Sequence, residues 1–548
     1  MTSDDQTLFG DLPARAAARW GDREGLFFNG QRFSFNDIAR SVDRAARGLI
    51  ALGVRPGDKV GVWLTNSPLW IELMFALAKI GAVQVPINTR FRSHDLDYVL
   101  RQSDCSTLIT HTVSGPIDYL SMVRELVPPQ AHDGTKEIRS DSFPHLRRVV
   151  VAAEAGDAGT FTWPEVLARA DAVTPDELQA RASSVRLSDL MLILYTSGTQ
   201  GFPKGVMRDH RQLLDHHNDR LAASQLSADD VILNYLPLFH SFGYIDGPLS
   251  SIRSGARQVL TERFDADQTL DLIAQERATV IYGFETHLND LVNAQLKRRR
   301  DTSSLRVGIF AASAKSSAGV LRRAREELAP LQTLMVYGST EVGANATISS
   351  LDSTLEQATE TCGKPCRGYH IRVVDPLTRQ DLPPGELGEI IAKSDNVMTG
   401  YYNNPQATAA AFDADGFYKT GDIGYLRPDG YLRFLTRYKD MLKVGGENVD
   451  PAEVESYIMT LPGVAQVAVV AYPDQRLSEV AVAFVVAHAD SGLSEQAIIE
   501  HCRGKIASFK IPRRVWLVDA IPMTPNGKTK KEELRGLAKT LVPAFRSS

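Results

Sequence analysis

YTSGTQGFPKGV, from Tyr195 to Val206, is the stretch on which the reading turns. Its glycines let backbone N–H groups approach an anion, its hydroxyls add donors and its single lysine adds a point charge, a combination suited to phosphate oxygens. The common phosphate loop sets its lysine directly after a second glycine and follows it with Ser or Thr. Here Pro203 stands where that glycine belongs, and Gly205 follows Lys204. The loop therefore reads as phosphate-binding, but of another kind.

Outward from the loop, the flanking sequence alternates apolar strands with amphipathic helices. DKVGVWLTN, PLWIELMFALAKIG and VQVPIN precede it; RQVLTERF, a helix from Ala266, TVIYGF, RVGIFAAS and TLMVYGST follow. Such alternation predicts an α/β fold with largely parallel sheets. After about Pro376 the texture changes to shorter strands with Pro-Gly and Asp-Gly turns (LPPGELGEIIAKS, RPDGYLRFL), which predicts an antiparallel element. Near Thr436 it changes again: RYKDMLKVGGEN, then the helix PAEVESYIMTL with Asp450 as N-cap and Pro451 at its first position, two strands, a helix from Ser494 and a hairpin around PMTPNGKTK. We expect a large domain over 1–439 and a small α+β domain over 440–548.

The chain has 548 residues, 43% of them hydrophobic, which is ample for a large core. Its 61 basic and 66 acidic residues give a formal charge of −5 without a basic stripe, so nucleic acid is not an expected partner. Met1 to Gly10 is polar and acidic and does not read as a secretory signal, and no apolar run reaches the roughly 18 to 20 residues of a membrane span. Cys105, Cys362, Cys366 and Cys502 are too sparse for a disulfide framework, and Cys362 and Cys366 lack a second ligand pair for a metal. The expected location is the cytoplasm.

Four more segments share the chemistry of the opening loop. LPLFHSFGY carries His240, MVYGSTEVG carries Glu341, YKTGDIGY carries Asp422, and the tail carries Lys528 in an Asn-Gly-Lys turn. Together and in this order they make the chain resemble the adenylate-forming superfamily, which includes acyl-CoA synthetases, firefly-type luciferases and peptide-synthetase adenylation domains. The resemblance covers nearly the whole chain and is nearest to the acyl-CoA synthetases. It implies a large N-terminal domain of mixed sheets with packed helices and a distorted β-barrel subdomain, followed by a small mobile C-terminal domain.

The resemblance also implies an activity: a carboxylate attacks the α-phosphorus of ATP, pyrophosphate leaves, and the acyl-adenylate passes its acyl group to coenzyme A. Ser197, Gly198, Thr199, Gln200, Gly201 and Lys204 would hold the β- and γ-phosphates. Glu341 would hold Mg²⁺, with the Thr196 hydroxyl as a second ligand; the plainer reading of Glu341 is a first-turn helix carboxylate beside Ser339 or Thr340. Tyr337, followed by Gly338, Ser339 and Thr340, would stack on adenine, and Asp422 and Arg437 would take the ribose hydroxyls. Lys528 would reach the α-phosphate and the carboxylate. Rotation about Asp440 would then exchange it for the VGGEN loop, where Lys443, Gly445 and Gly446 would line the path of the pantetheine arm.

His240 stands where amino-acid-activating relatives carry an aspartate, beside Phe242 and Tyr244, so an α-amino acid is disfavoured and a lipophilic monocarboxylate expected. Ala312, in AASAK, would line the acyl pocket. Two departures alter that pocket: Glu285 replaces a usual proline, and AASAK replaces a glycine pair. Three alternatives stay open: an acyl-AMP ligase serving an acyl carrier protein, a non-catalytic nucleotide- or acyl-binding protein, and a kinase-type phosphotransferase. The oligomeric state is open too, a homodimer included.

Overall fold

The computed structural model of the chain describes residues 7–128, 136–196, 203–311, 314–437, 440–444, 447–449, 451–474, 477–489, 491–503, 505–506, 508–524 and 529–541. Two large sheets organise the first four hundred of them. In the first, strands Glu24–Phe28, Arg257–Leu260, Val231–Asn234, Val280–Phe284, Val307–Ala311 and Gln332–Ser339 lie side by side and parallel. In the second, Leu190–Thr196, Val83–Pro86, Lys59–Trp63, Cys105–Thr110 and Arg148–Val151 do the same. Most residues of these strands are buried, which explains why they read as continuous apolar runs rather than alternating ones.

The helix Pro68–Lys79 has Ser67 as N-cap and proline at its first position, and nine of its twelve residues are buried. A helix apolar on all sides is one enclosed on all sides. Its single buried cation, Lys79, reaches Asp43 Oδ1 at 2.6 Å on the helix Phe35–Ala51. That second helix opens with the capping box of Ser34 and Asp37, two backbone donors satisfied reciprocally.

The antiparallel element appears as expected after Pro376. Where the resemblance implies a distorted barrel, the described residues form a four-stranded sheet in the order His370–Val374, Gly388–Lys393, Tyr418–Leu426, Leu432–Arg437. A smaller unit follows: strands Leu442–Val444, Glu447–Val449, Val464–Asp474, Ser478–Ala487 and Arg514–Leu517 make one sheet carrying the helices Pro451–Ile458, Glu495–Cys502 and Lys531–Leu541. The expected cap Asp450 lies outside the described residues; the helix read from Ser494 is Glu495–Cys502, with Ser494 as its N-cap. Helix Pro451–Ile458 packs on Ala314–Glu327 of the large unit. No helix among the described residues is long and apolar enough to cross a membrane.

Candidate functional site

The opening loop sits between two antiparallel strands whose register pairs Thr196 with Lys204. Ser197, Gly198, Thr199, Gln200 and Gly201 lie outside the described residues, but the ends of their loop are fixed. The Thr196 hydroxyl donates to the Lys204 carbonyl at 3.5 Å, and the Tyr98 hydroxyl donates to the Pro203 carbonyl at 3.0 Å. Strand Lys204–Asp209 pairs on its other side with the two-residue strand Gly400–Tyr401. That pairing joins segments two hundred residues apart and sets Lys204 Nζ 4.9 Å from the centroid of the Tyr401 ring, a cation–π contact.

Tyr401 in turn reaches Glu341. Its hydroxyl donates to Glu341 Oε1 at 3.3 Å, and the Ser339 hydroxyl donates to Oε2 at 2.9 Å. Burial, then the charge of Glu341, raises the pKa of the Tyr401 phenol, so it stays a donor. Glu341 does not sit in a helical first turn: it lies in the tight turn between the antiparallel strands Gln332–Ser339 and Gly343–Ile348. The helix reading failed because a Gly-Ser-Thr-Glu run suits a strand-to-helix junction equally well, and only the pairing partner decides. Gly338 shows how close these strands run, since a Cβ there would lie 2.5 Å from the Gly343 carbonyl oxygen. Beneath the turn, the buried guanidinium of Arg208 donates to the carbonyls of Thr340, at 2.7 Å, and Asn396. Burial lowers the pKa of Arg208, and Glu341 is among the charges that work against this.

Tyr337 and Asp422 meet directly, the phenol donating to Asp422 Oδ2 at 2.8 Å, with the Tyr337 ring centroid 5.5 Å from Phe434. The expected adenine-stacking and ribose-binding residues thus form one buried unit joining the large parallel sheet to the four-stranded one. Asp422 faces Arg437 across two strands; the side chains of Arg437 and Lys443 are outside the described set, as are residues Gly445, Gly446, Ala312 and Lys528.

His240 caps the short helix Ser241–Tyr244, its Nδ1 accepting from the Phe242 N–H at 3.3 Å. Phe242 turns into the apolar cluster, perpendicular to Phe284 at 5.4 Å and under the Arg220 guanidinium at 5.1 Å. It does not border the cavity that Tyr244 borders, together with Leu194, His216, Thr340 and Gly343. Below it lies a fully buried ion pair, Arg220 with Asp246 at 2.9 Å, Asp246 falling in the π-helical segment Ile245–Leu249. Burial pushes Asp246 up to about 7 against the opposing charge of Arg220. Asp440 is held by Arg535 of the last helix at 2.6 Å. Cys366 accepts from Asn345 Nδ2, and burial pushes its thiol up to about 12; among the described residues no cluster of His, Cys, Asp and Glu could hold a metal unaided.

One carboxylate and one hydroxyl next to a phosphate loop nevertheless fit Mg²⁺, which keeps its waters and binds through one or two carboxylates plus substrate phosphates. Tyr401, Tyr418, Arg208 and Phe434 were missed by the sequence reading. Tyr418 feels Glu341 enough that the charge adds to burial in raising its pKa. The only sequence signal for Tyr401 and Tyr418 was aromatic residues in GYYNN and GFYKTGD, which any half-buried strand would also supply.

Thr196 and the Tyr337–Glu341 segment stand at the carboxyl ends of strands in the two parallel sheets, where ligands bind in open α/β sheets. The AMP-binding enzyme family matches residues 13–402, and the AMP-binding enzyme C-terminal domain matches 453–528. A methyl-dioxo-octahydro-indenyl-propanoyl:CoA ligase of Mycobacterium tuberculosis is 36% identical over 517 residues, covering 94% of this chain and 96% of the relative. The mitochondrial medium-chain acyl-CoA ligase ACSF2 of Mus musculus is 30% identical over 538 residues, covering 96% and 87%. The crystal structure of the anthranilate CoA ligase AuaEII in complex with anthranoyl-AMP superposes with a TM-score of 0.87 at 26% identity, covering 99% of both chains. With the loop, the Glu341 turn and the Tyr337–Asp422 unit in the order that family requires, the chain belongs to the AMP-binding enzymes.

Proposed function

We propose that the protein is an AMP-forming acyl-CoA ligase. It activates a lipophilic carboxylic acid to its acyl-adenylate and transfers the acyl group to coenzyme A. The observation that carries this reading is the contact of Lys204 with Tyr401 and of Tyr401 with Glu341, together with the Tyr337–Asp422 hydrogen bond. In the first step a carboxylate oxygen attacks the α-phosphorus, the bond to the β-phosphate oxygen breaks, and pyrophosphate leaves with its charge. Lys204 and the loop hold that charge, Tyr337 and Asp422 orient the nucleoside, and Lys528 balances the α-phosphate and the acid. Mg²⁺, held by Glu341 and Thr196, supplies positive charge at the phosphate oxygens when bound. In the second step the CoA sulfur takes the acyl carbon, loses its proton and displaces AMP; no enzyme nucleophile is needed, because the mixed anhydride is already activated.

The two steps share one site if the residues beyond Asp440 rotate, replacing Lys528 by Lys443, Gly445 and Gly446. The boundary at 439/440 is supported by the change of sheet there and by the Asp440–Arg535 pair, which ties the hinge to the C-terminal helix. A cytoplasmic location is supported by four buried cysteines that form no disulfide. Mass spectrometry of products from ATP, Mg²⁺, CoA and a panel of fatty, aryl and polycyclic acids tests the function. AMP together with an acyl-CoA is expected; ADP, or no turnover with any acid, overturns it. Lys528→Ala is expected to abolish adenylate formation while sparing thioester formation from supplied acyl-AMP, and equal loss of both steps would refute the rotation.

A further inference from the structure

Strand Lys204–Asp209 carries two cations on one face. Side chains alternate along a strand, so Lys204, Val206 and Arg208 share that face, and Tyr401, paired with Val206 on the neighbouring strand, stands between the two charges. Lys204 lies over the Tyr401 ring, whereas Arg208 is 3% exposed and reaches the Glu341 turn.

That turn is held at three points. The Glu341 carboxylate accepts from Tyr401 and Ser339, its own carbonyl accepts the Met398 N–H at 2.8 Å, and the preceding carbonyl, of Thr340, accepts from Arg208 Nη2 at 2.7 Å. Arg208 Nη1 donates to the carbonyl of Asn396, two residues before Met398. One guanidinium therefore ties the turn to the segment that grips its next carbonyl, and that segment runs on into Gly400–Tyr401.

The carbonyls by themselves do not call for a cation. Gln212, four residues further along the chain, holds those of Asp395 and Val397 with a neutral amide, at 3.3 and 2.8 Å. A buried cation costs more than a buried amide, and both hydrogen-bond partners of Arg208 among the described residues are carbonyls. Burial accordingly lowers its pKa, with Glu341 among the charges that oppose the shift. A planar fork of fixed charge, spanning two carbonyls beside an anionic turn, suits a site that must hold one carboxylate still for a metal and phosphates.

We propose that Arg208 is a positioning residue for the metal carboxylate: it fixes the turn so that Glu341 meets Mg²⁺ in one orientation, and it acts through Glu341 rather than on substrate. The proposal rests on the ligase reading, which gives Glu341 its metal.

Calorimetric binding of ATP to the full chain, with and without Mg²⁺, gives a ratio of affinities that reads the metal contact apart from turnover. In Arg208→Met that ratio is expected to fall about tenfold, and in Arg208→Lys, which keeps the charge and loses the fork, about threefold. Arg208→Lys carries the test where Arg208→Met does not fold. Either variant combined with Glu341→Ala should show no fall beyond that of Glu341→Ala alone, because Arg208 acts through that carboxylate. Gln212→Met loosens the same segment without touching Thr340 and should leave the ratio as in the native chain. A ratio unmoved by the Arg208 variants, an equal fall in Gln212→Met, an additive fall in the double variant, or a native chain that binds ATP no better with Mg²⁺ overturns the proposal. ATP–pyrophosphate exchange with fatty, aryl and polycyclic acids is a separate readout. Exchange with none of them counts against the ligase, whereas the binding ratios still decide the role of Arg208.

Discussion

Two charged clusters lie within the same large unit and differ in what encloses them. Around Glu341 the charges stand at strand ends, with Lys204 half-buried over Tyr401. Around Arg220 the pair with Asp246 is 1% and 0% exposed, roofed by Phe242 and braced by Asn345. The first cluster can receive a highly charged ligand because water and ligand reach it; the second can only serve the fold. Enclosure thus separates a binding charge from a structural one, although both look alike as polar residues within apolar sequence.

The sharpest way to break this comparison is to remove the enclosed cation. Arg220→Met should destabilise the protein by about 3–5 kcal/mol in denaturant unfolding, because it strands Asp246 among apolar neighbours. A loss under about 1 kcal/mol would mean the pair is not structural. Asp246 also gives the cluster a pH signature. Its folded pKa of about 7 lies above the value of 3.8 for a free carboxyl, so the folded state holds the proton more tightly. That stabilisation is complete below pH 4 and is lost as pH rises towards 7. Relative to Asp246→Asn, the native protein should lose stability between pH 4 and 7, and a flat difference contradicts the assignment.

At the open cluster the effects should fall on activity instead. Glu341→Ala should lower the adenylation rate about 100-fold and raise the Mg²⁺ requirement in ATP–pyrophosphate exchange, with a stability change below about 1 kcal/mol. An unchanged metal profile would reduce Glu341 to a turn residue tied to Ser339. The smallest effect belongs to the seam between sheets. Tyr337→Phe removes one hydrogen bond to Asp422, worth about 1 kcal/mol, and should raise the KM for ATP about fivefold with kcat little changed. A fall in kcat without a change in KM would place Tyr337 at the chemistry rather than at the nucleoside.

Much of the fold was legible because parallel strands buried on both faces announce themselves as unbroken apolar runs. VQVPIN, TVIYGF and RVGIFAAS each became a strand, Val83–Pro86, Val280–Phe284 and Val307–Ala311. The start of the helix read from Ser494 was legible too, since Ser494 caps it within its own turn. Contacts across long stretches of chain were not. Nothing near Lys204 signals that Tyr401 will lie beside it, and Glu341 was open to a helical reading until its strand partner was known. Phe242 and Tyr244 are two residues apart and read alike as pocket aromatics. In the folded chain they enter different core clusters, and only Tyr244 also borders the cavity.

By itself, then, the sequence determined the α/β alternation, the change of texture after Pro376 and the order of motifs from Tyr195 to Lys528, because each depends on residues close together in the chain. Only the tertiary structure decided which of those motifs share a site and which charges are closed off. Those properties arise when sheets and helices distant in sequence exclude water together, and burial of that kind is set by packing partners that no local stretch of sequence names.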